Sequence, residues 1–332
     1  MKTSSGSKIT GIGAFLPKSI VTTEELMHEA QSRKFGVSES FLSRASGIKQ
    51  RRFSDPNQSY GYLAIQAARD AIIDARINPL DIDLILFCGI DRDKPEPSTA
   101  HEVQAELGAW NAACLDVSNA CIGMLSGYSV AHAYINSGMA ENILICTGEK
   151  PSQLSIDAIR QLRKSNDKSL FRKLLGAFTV GDGGGAFVVS KSTDDTGCKY
   201  IHFKADGKFR NLCYYRHTPE GIDFEMRMEE ISGAMVENHQ EMIGETYKKI
   251  GWKSEEIDHA YFHQVGERPH KQMIKLTNLA SERVSRSYHL FGNLTSATHA
   301  VNMCFDRPKK GDKVLVLGAG SGASMCQAAF QF

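Results

Sequence analysis

Ala113-Cys114-Leu115-Asp116-Val117-Ser118-Asn119-Ala120-Cys121-Ile122-Gly123-Met124 reads as a short apolar strand, a tight polar turn and the start of a helix. Met124, Leu125, Val130, Ala131 and Tyr134 recur at helical spacing, which predicts a helix from about Ile122 to Ile135. A cysteine at that junction meets unpaired backbone N–H groups and the positive end of the helix dipole, and both favour thiolate over thiol. A free cysteine is ordinarily a small buried hydrophobe. What singles out Cys121 is its place in a pattern that occurs twice.

In the first half, Ala64 to Arg76 reads as a helix, followed by Asn78-Pro79-Leu80-Asp81-Ile82-Asp83 and the strand Leu84 to Gly89. In the second, Met235 to Ile250 reads as a helix, followed by Lys253-Ser254-Glu255-Glu256-Ile257-Asp258 and the strand His259 to Gln264. Ile257 lies 175 residues after Ile82. The apolar strand Lys313 to Gly318 matches Asn142 to Gly148, its glycine 170 residues further on. Gly292-Asn293-Leu294-Thr295-Ser296-Ala297 opens a second small-residue helix start, and Asn293 stands 172 residues after Cys121. His263 ends the counterpart of the strand that closes near Cys88. The offset is far longer than solenoid repeats and points to two fused copies of one αβ unit. Strands alternating with helices argue for a layered α/β architecture. The halves are drawn at 1–190, with the nucleophilic cysteine, and 191–332, with the histidine and asparagine. A two-fold arrangement of them would aim Cys121, His263 and Asn293 at one centre.

These three residues resemble the Cys-His-Asn triad of the thiolase-like condensing enzymes, specifically the β-ketoacyl-acyl-carrier-protein synthase III family. Ile9-Thr10-Gly11-Ile12-Gly13-Ala14-Phe15-Leu16-Pro17 resembles that family's opening strand, and Ser46-Gly47-Ile48-Lys49-Gln50-Arg51-Arg52 its "TGI…R" segment. Val180-Gly181-Asp182-Gly183-Gly184-Gly185-Ala186 resembles its "FGDGAGA" turn. His263-Gln264 with Arg268, Gly292-Asn293 with Ser296-Ala297, and Gly318-Ala319-Gly320-Ser321-Gly322 complete the series in order. The resemblance covers nearly the whole chain. It implies a thiolase-like fold, two duplicated αβ halves packed as an α-β-α-β-α structure, and a homodimer.

It also implies a chemistry. Cys121 attacks an acyl thioester and becomes acylated. The backbone N–H groups of Cys121 and Ser321 form the oxyanion hole. A malonyl thioester then loses CO2, and His263 and Asn293 stabilise the resulting enolate. No metal or bound cofactor takes part; the substrates are coenzyme A or acyl-carrier-protein thioesters, and an acyl carrier protein is an implied partner. Asp182 reads as a turn-former, and His270 and His299 have weaker claims than His263. Glu149-Lys150 reads as a solvated loop.

Several departures point to a specialised member. Val265-Gly266-Glu267 replaces the common "ANx" after His263-Gln264, Leu294 is inserted after Gly292-Asn293, and Ala323 and Ser324 stand where bulkier residues are usual. Phe41 takes the place of a tryptophan that stacks on the coenzyme A adenine in relatives. The segment Lys150 to Gly176 is longer than usual and carries Arg160, Arg163 and Lys164, read either as a solvated face or as a docking patch for coenzyme A phosphates or an acidic carrier. The substrate-binding set is thus Phe41, Arg160, Arg163, Lys164 and Arg268, and the longer segment with Ala323 and Ser324 suggests a reshaped cavity around the apolar tunnel, for a primer longer or bulkier than acetyl.

Other functions stay open on the residues alone. The acyl-cysteine could deliver its acyl group to an alcohol or amine, or the chain could be a 3-hydroxy-3-methylglutaryl-type synthase with Asp91 or Asp93 as base. A thiolase would need a second cysteine, for which Cys326 is the nearest candidate; a noncatalytic subunit would have no need of the triad. At 332 residues, 42% apolar and a net charge of +1, the chain can bury a substantial core and carries no nucleic-acid footprint. No apolar run reaches the ~18 residues of a membrane span. Met1 to Gly6 lacks a signal-peptide core. Eight scattered cysteines show neither metal-ligand spacing nor a disulfide pattern, which suits a reducing cytoplasm.

Overall fold

The computed structural model describes residues 6–219 and 221–332. Two mixed sheets repeat one strand order. In the first, Gly6–Phe15 pairs antiparallel with Gly183–Ser192, which pairs antiparallel with Asn142–Glu149; Leu84–Phe87 and Ala113–Asp116 follow in parallel. In the second, Gly197–Ala205, Ser324–Gln331, Lys313–Gly320 and His259–Phe262 stand in the corresponding order with the same directions. The fifth position of that sheet is reduced to a parallel bridge between Ala260 and Val284. The duplication read from strand and helix markers is therefore the plan of the molecule.

Sequence pattern explains the layering. Strands such as Leu84–Phe87 and Asn142–Glu149 are apolar on both faces, as strands covered on both sides must be. Helix Gly123–Asn136 fills the centre, with Met124, Leu125, Tyr128, Ala131 and Ile135 in one cluster with Leu86, Ile145 and Phe187 of the first sheet and Val316, Cys326 and Phe330 of the second. Ala300 and Met303, from helix Thr298–Phe305, join the same cluster. Helix Tyr60–Ala75 covers the outer face of the first sheet with an alanine-rich stripe. Helices Met228–Ile250 and Glu267–Thr277 cover the second. The order is helix, sheet, helix, sheet, helix: a thiolase-like α-β-α-β-α fold.

A cap stands over one end of the central layer. The longer segment forms helices Ser152–Arg163 and Lys168–Leu174, which pack with the hairpin Cys213–Thr218 and Gly221–Met226. Leu154, Ala158 and Leu162 turn inward at helical spacing onto Leu26, Phe35, Phe171 and Phe224. Asp182, fully buried, ties the cap to the first sheet. Its carboxylate accepts from the N–H and Oγ of Ser54 at 2.8 and 2.7 Å and from those of Ser152 at 2.9 and 2.7 Å. Arg51 is also fully buried and donates to the carbonyls of Phe178 and Val21 at 2.6 and 3.3 Å. Among the described residues no helix is long and apolar enough to cross a membrane, and no cluster of His, Cys, Asp or Glu could hold a metal ion.

Candidate active site

Cys121 lies at the entrance of helix Gly123–Asn136, after Ala120, whose φ of 46° is rare for a residue with a side chain. This elbow turns the chain sharply from strand to helix. Gly123 is required next, because a Cβ there would stand 2.2 Å from the Cys88 carbonyl oxygen. Asn293 occupies the equivalent entrance in the second half. Gly292 before it has φ 68°, and a Cβ there would meet the Thr179 carbonyl oxygen at 2.6 Å. The Asn293 backbone bonds to Thr179 O and Gly181 N at 2.9 and 3.0 Å, and its Oδ1 accepts from Thr295 N at 2.9 Å. That bond orients the amide and leaves Nδ2 as the donor for a ligand.

His263 follows strand His259–Phe262 and is held by its N–H to Leu317 O at 2.8 Å. Its Nδ1 is buried without a partner, so Nε2 is the nitrogen offered to the cavity. Burial, with His299 nearby, pushes its pKa down to about 3, so the ring is neutral at physiological pH.

Two cavities of about 450 Å³ each meet at this point, and Cys121, Cys213, Met226, Asn293 and Ser321 line both. The first runs under the cap past Tyr60, Asp91, Glu149 and Tyr215. The second carries His263 and runs between Leu42, Met228, Ile231 and Val265 toward Phe41 and Arg268. Phe41 is 44% exposed, and Arg268 is exposed with its guanidinium 3.6 Å from Glu229.

The structure thus brings together Cys121, His263, Asn293 and Ser321, with Phe41 and Arg268 on the same cavity. It does not bring in the other three cations. Arg160 pairs with Asp157 and Arg163 with Glu29, and neither they nor Lys164 line the two cavities. They lie on the outward side of an amphipathic helix whose apolar side builds the cap.

Three further expectations are corrected. The Cys121 thiol is not biased toward thiolate: burial first, then the Cys213 thiol and the Glu149 carboxyl, raise its pKa well above the ordinary value. Desolvation outweighs the backbone N–H that favours the thiolate here. Glu149 and Lys150 are not a solvated loop, being 2% and 8% exposed. Glu149 Oε1 accepts from Ile90 N, Thr147 Oγ1 and Ser296 Oγ at 3.2, 3.0 and 2.6 Å. Burial pushes its pKa up to about 7 against those bonds. Ala323 packs on Met242 and Met325, and neither it nor Ser324 lines the cavities. The cavity beneath the cap is apolar over most of its wall, with the phenols and carboxyls of Tyr60, Asp91, Glu149 and Tyr215 added to it. Cys326 is in the central core, away from both cavities.

Sequence reading missed Glu149, Thr295, Cys213 and Tyr215. For Glu149 a signal existed: it ends an otherwise apolar strand in the first half, just where strand Lys313–Gly320 of the second reaches the site.

The family descriptions "3-Oxoacyl-[acyl-carrier-protein (ACP)] synthase III" and "3-Oxoacyl-[acyl-carrier-protein (ACP)] synthase III C terminal" match residues 115–207 and 247–332. Beta-ketoacyl-[acyl-carrier-protein] synthase III of Aquifex aeolicus is 29% identical over 321 residues, 96% of each chain. The enzyme of that name from Caldanaerobacter subterraneus subsp. tengcongensis is 28% identical, over 98% of this chain and 97% of its own. Among solved structures, Xanthomonas campestris OleA with bound lauric acid and lauroyl-CoA has a TM-score of 0.90 and 25% identity, over 98% of this chain and 99% of that one. A cerulenin-bound OleA gives the same TM-score and identity, covering 98% and 97%.

Proposed function

The chain belongs to the 3-oxoacyl-[acyl-carrier-protein] synthase III family, and on that premise we propose that Cys121, His263 and Asn293 carry its reaction. It is an acyltransferase that forms an acyl-cysteine and performs a decarboxylative Claisen condensation. One observation carries the residue assignment. Cys121, Asn293 and Ser321 stand where two cavities join, and His263 lines the one that opens beside Phe41 and Arg268.

In the first half-reaction Cys121 Sγ bonds to the acyl carbon and the bond to the donor thiol breaks. The Cys121 proton ends on the departing thiol. This exchange is thiol for thiol, so the site needs no stored thiolate, in keeping with the raised pKa of Cys121. The N–H groups of Cys121 and Ser321 hold the oxyanion. In the second half-reaction a malonyl thioester in the His263 cavity loses CO2. Its enolate carbon bonds to the acyl carbon, the bond to Cys121 Sγ breaks, and the sulfur takes up a proton. Nε2 of neutral His263 and Nδ2 of Asn293 donate to the enolate oxygen, each worth ~2.7–4 kcal/mol of barrier.

Phe41 and Arg268, at the outer end of the same cavity, would receive the nucleotide or carrier end of the thioester. A cytoplasmic homodimer completes the reading; the eight cysteines are all free thiols, in line with a reducing compartment. The test is intact mass after incubation with acyl thioesters, with and without a malonyl thioester. The expected result is an acyl adduct on the parent and on His263→Ala and Asn293→Ala, none on Cys121→Ala, and condensation slowed about 10²–10³-fold in the two donor variants. An adduct on Cys121→Ala, or condensation at the parent rate in both donor variants, overturns the assignment.

A further inference from the structure

The two cavities that meet at Cys121 differ in what they offer a ligand, and the difference bears on the acyl group. The His263 cavity is lined mainly by apolar side chains, with Glu229, Glu267 and Arg268 as its charged residues, which suits a thioester arm. The cavity under the cap has Leu154, Phe224 and Met226 on one side, but Tyr60, Asp91, Glu149, Tyr215 and Thr295 also contribute to its wall.

Two of these polar groups stand side by side with hydrogen-bonding capacity left over. The hydrogen bonds from Ile90 N, Thr147 Oγ1 and Ser296 Oγ all go to Oε1, and the Thr295 side chain is a further neighbour that holds the carboxyl's pKa down against burial. Thr295 is 6% exposed, and its Oγ1 is buried without a hydrogen bond in acceptable geometry. Thr295 is also held at φ 50°, immediately after Asn293-Leu294. The hydroxyl thus stands in the cavity wall on a strained backbone, next to the Glu149 carboxyl whose pKa it lowers. Beside them, Asp91 Oδ2 faces the Tyr60 hydroxyl at 3.4 Å and His217 Nε2 at 3.0 Å, toward the outer end. Burial and the nearby Asp91 and Glu149 carboxyls raise the pKa of Tyr60 and Tyr215, so both phenols stay protonated.

We infer that the acyl group loaded on Cys121 carries a hydroxyl substituent, seated between Glu149 Oε2 and the hydroxyls of Thr295 and Tyr215. The inference rests on the proposed role of Cys121 and deepens it by naming the substrate class. A hydroxyl both donates and accepts, which matches a carboxyl oxygen beside two hydroxyl groups. An unsubstituted alkyl chain would strip these groups of water and return no hydrogen bond, the costly arrangement for a buried polar site. A site built to bond a substrate hydroxyl discriminates strongly against the analogue lacking it.

The test measures acylation of Cys121 by intact mass with paired N-acetylcysteamine thioesters: benzoyl against its three monohydroxylated isomers, and butanoyl against 3-hydroxybutanoyl. The expected result is a preference of tenfold or more for at least one hydroxylated partner over its parent. In Thr295→Val and Tyr215→Phe the ratio of hydroxylated to unsubstituted rates should fall toward one; either variant suffices if the other does not fold. If every unsubstituted thioester acylates as fast as its hydroxylated partner, or the ratio survives both substitutions, the inference is overturned and the reading of Cys121 stands. If no thioester of any kind acylates Cys121, that reading itself has failed.

Discussion

Glu149→Gln is the substitution through which the electrostatics of the site can be read most directly. The carboxyl is 2% exposed, and burial moves its pKa from the ordinary 4.5 to about 7. The folded state therefore holds the proton more tightly than the unfolded chain. The associated stability is fully present below pH 4.5 and is lost as pH rises through about 7, with a total cost on the order of 3 kcal/mol once the group is ionised. Glutamine keeps an oxygen for Ile90 N, Thr147 Oγ1 and Ser296 Oγ but has no charge to bury. The variant should thus gain on the parent by about 2–3 kcal/mol between pH 5 and pH 8, whatever fixed offset the amide introduces. Urea denaturation of both proteins at each pH unit measures this, because all other titrating groups cancel in the difference. The same carboxyl raises the pKa of Cys121, so alkylation of Cys121 by iodoacetamide at pH 8 should be faster in the variant. Stability curves that stay parallel from pH 5 to pH 8, with equal alkylation rates, would refute this account of Glu149.

Two further outcomes concern the frame that holds the site. Asp182→Ala leaves the N–H groups of Ser54 and Ser152 without their acceptor and should cost about 3 kcal/mol or more in urea denaturation; a loss below 1 kcal/mol would remove Asp182 as the tie between cap and sheet. Burial lowers the pKa of His239, His270 and His299 to about 4, and that of His263 to about 3. As pH falls below about 6.5 the unfolded chain takes up protons that the folded chain refuses, so stability should drop steeply toward pH 5, by about 2 kcal/mol for each such histidine. In His270→Phe the drop between pH 7 and pH 5 should shrink by about that amount, and an unchanged slope would contradict it.

The duplication was legible because it is written in local pattern. Leu84–Phe87 and His259–Phe262 each follow a helix and a short acidic turn, and the sheets into which they fold repeat one order. That Cys121, His263 and Asn293 would line one cavity was legible for the same reason, since each stands at an element end fixed by the repeat. What escaped depends on tertiary distance. Arg160 and Arg163 look like a free basic patch in sequence, yet Arg163 meets Glu29, 134 residues away. Glu149-Lys150 has loop composition, but the cap folds over it and makes its carboxyl a buried part of the wall. The protonation of Cys121 could not be read from a helix start, because the opposing terms are burial and two neighbours, Cys213 and Glu149, remote in sequence.

The neutrality of the site has a consequence for the proposed decarboxylation. Among the described residues lining the His263 cavity, Arg268 is the only lysine or arginine, and it is exposed to solvent. A malonyl carboxylate lying beside Leu317, Ala319 and Phe262 would have lost water without gaining a counter-charge. Departure of CO2 removes that charge from its poorly solvated position and moves it to the thioester oxygen. There, Asn293 Nδ2 and the neutral His263 Nε2 are the donors on offer. A protonated His263 would instead pair with the carboxylate and stabilise the reactant, opposing the step. The depression of the His263 pKa to about 3 by burial and His299 would therefore serve the proposed reaction. In the proposed role, the same wall that makes the ring a poor base would let it bind the enolate oxygen more strongly than the carboxylate, and that difference would lower the barrier.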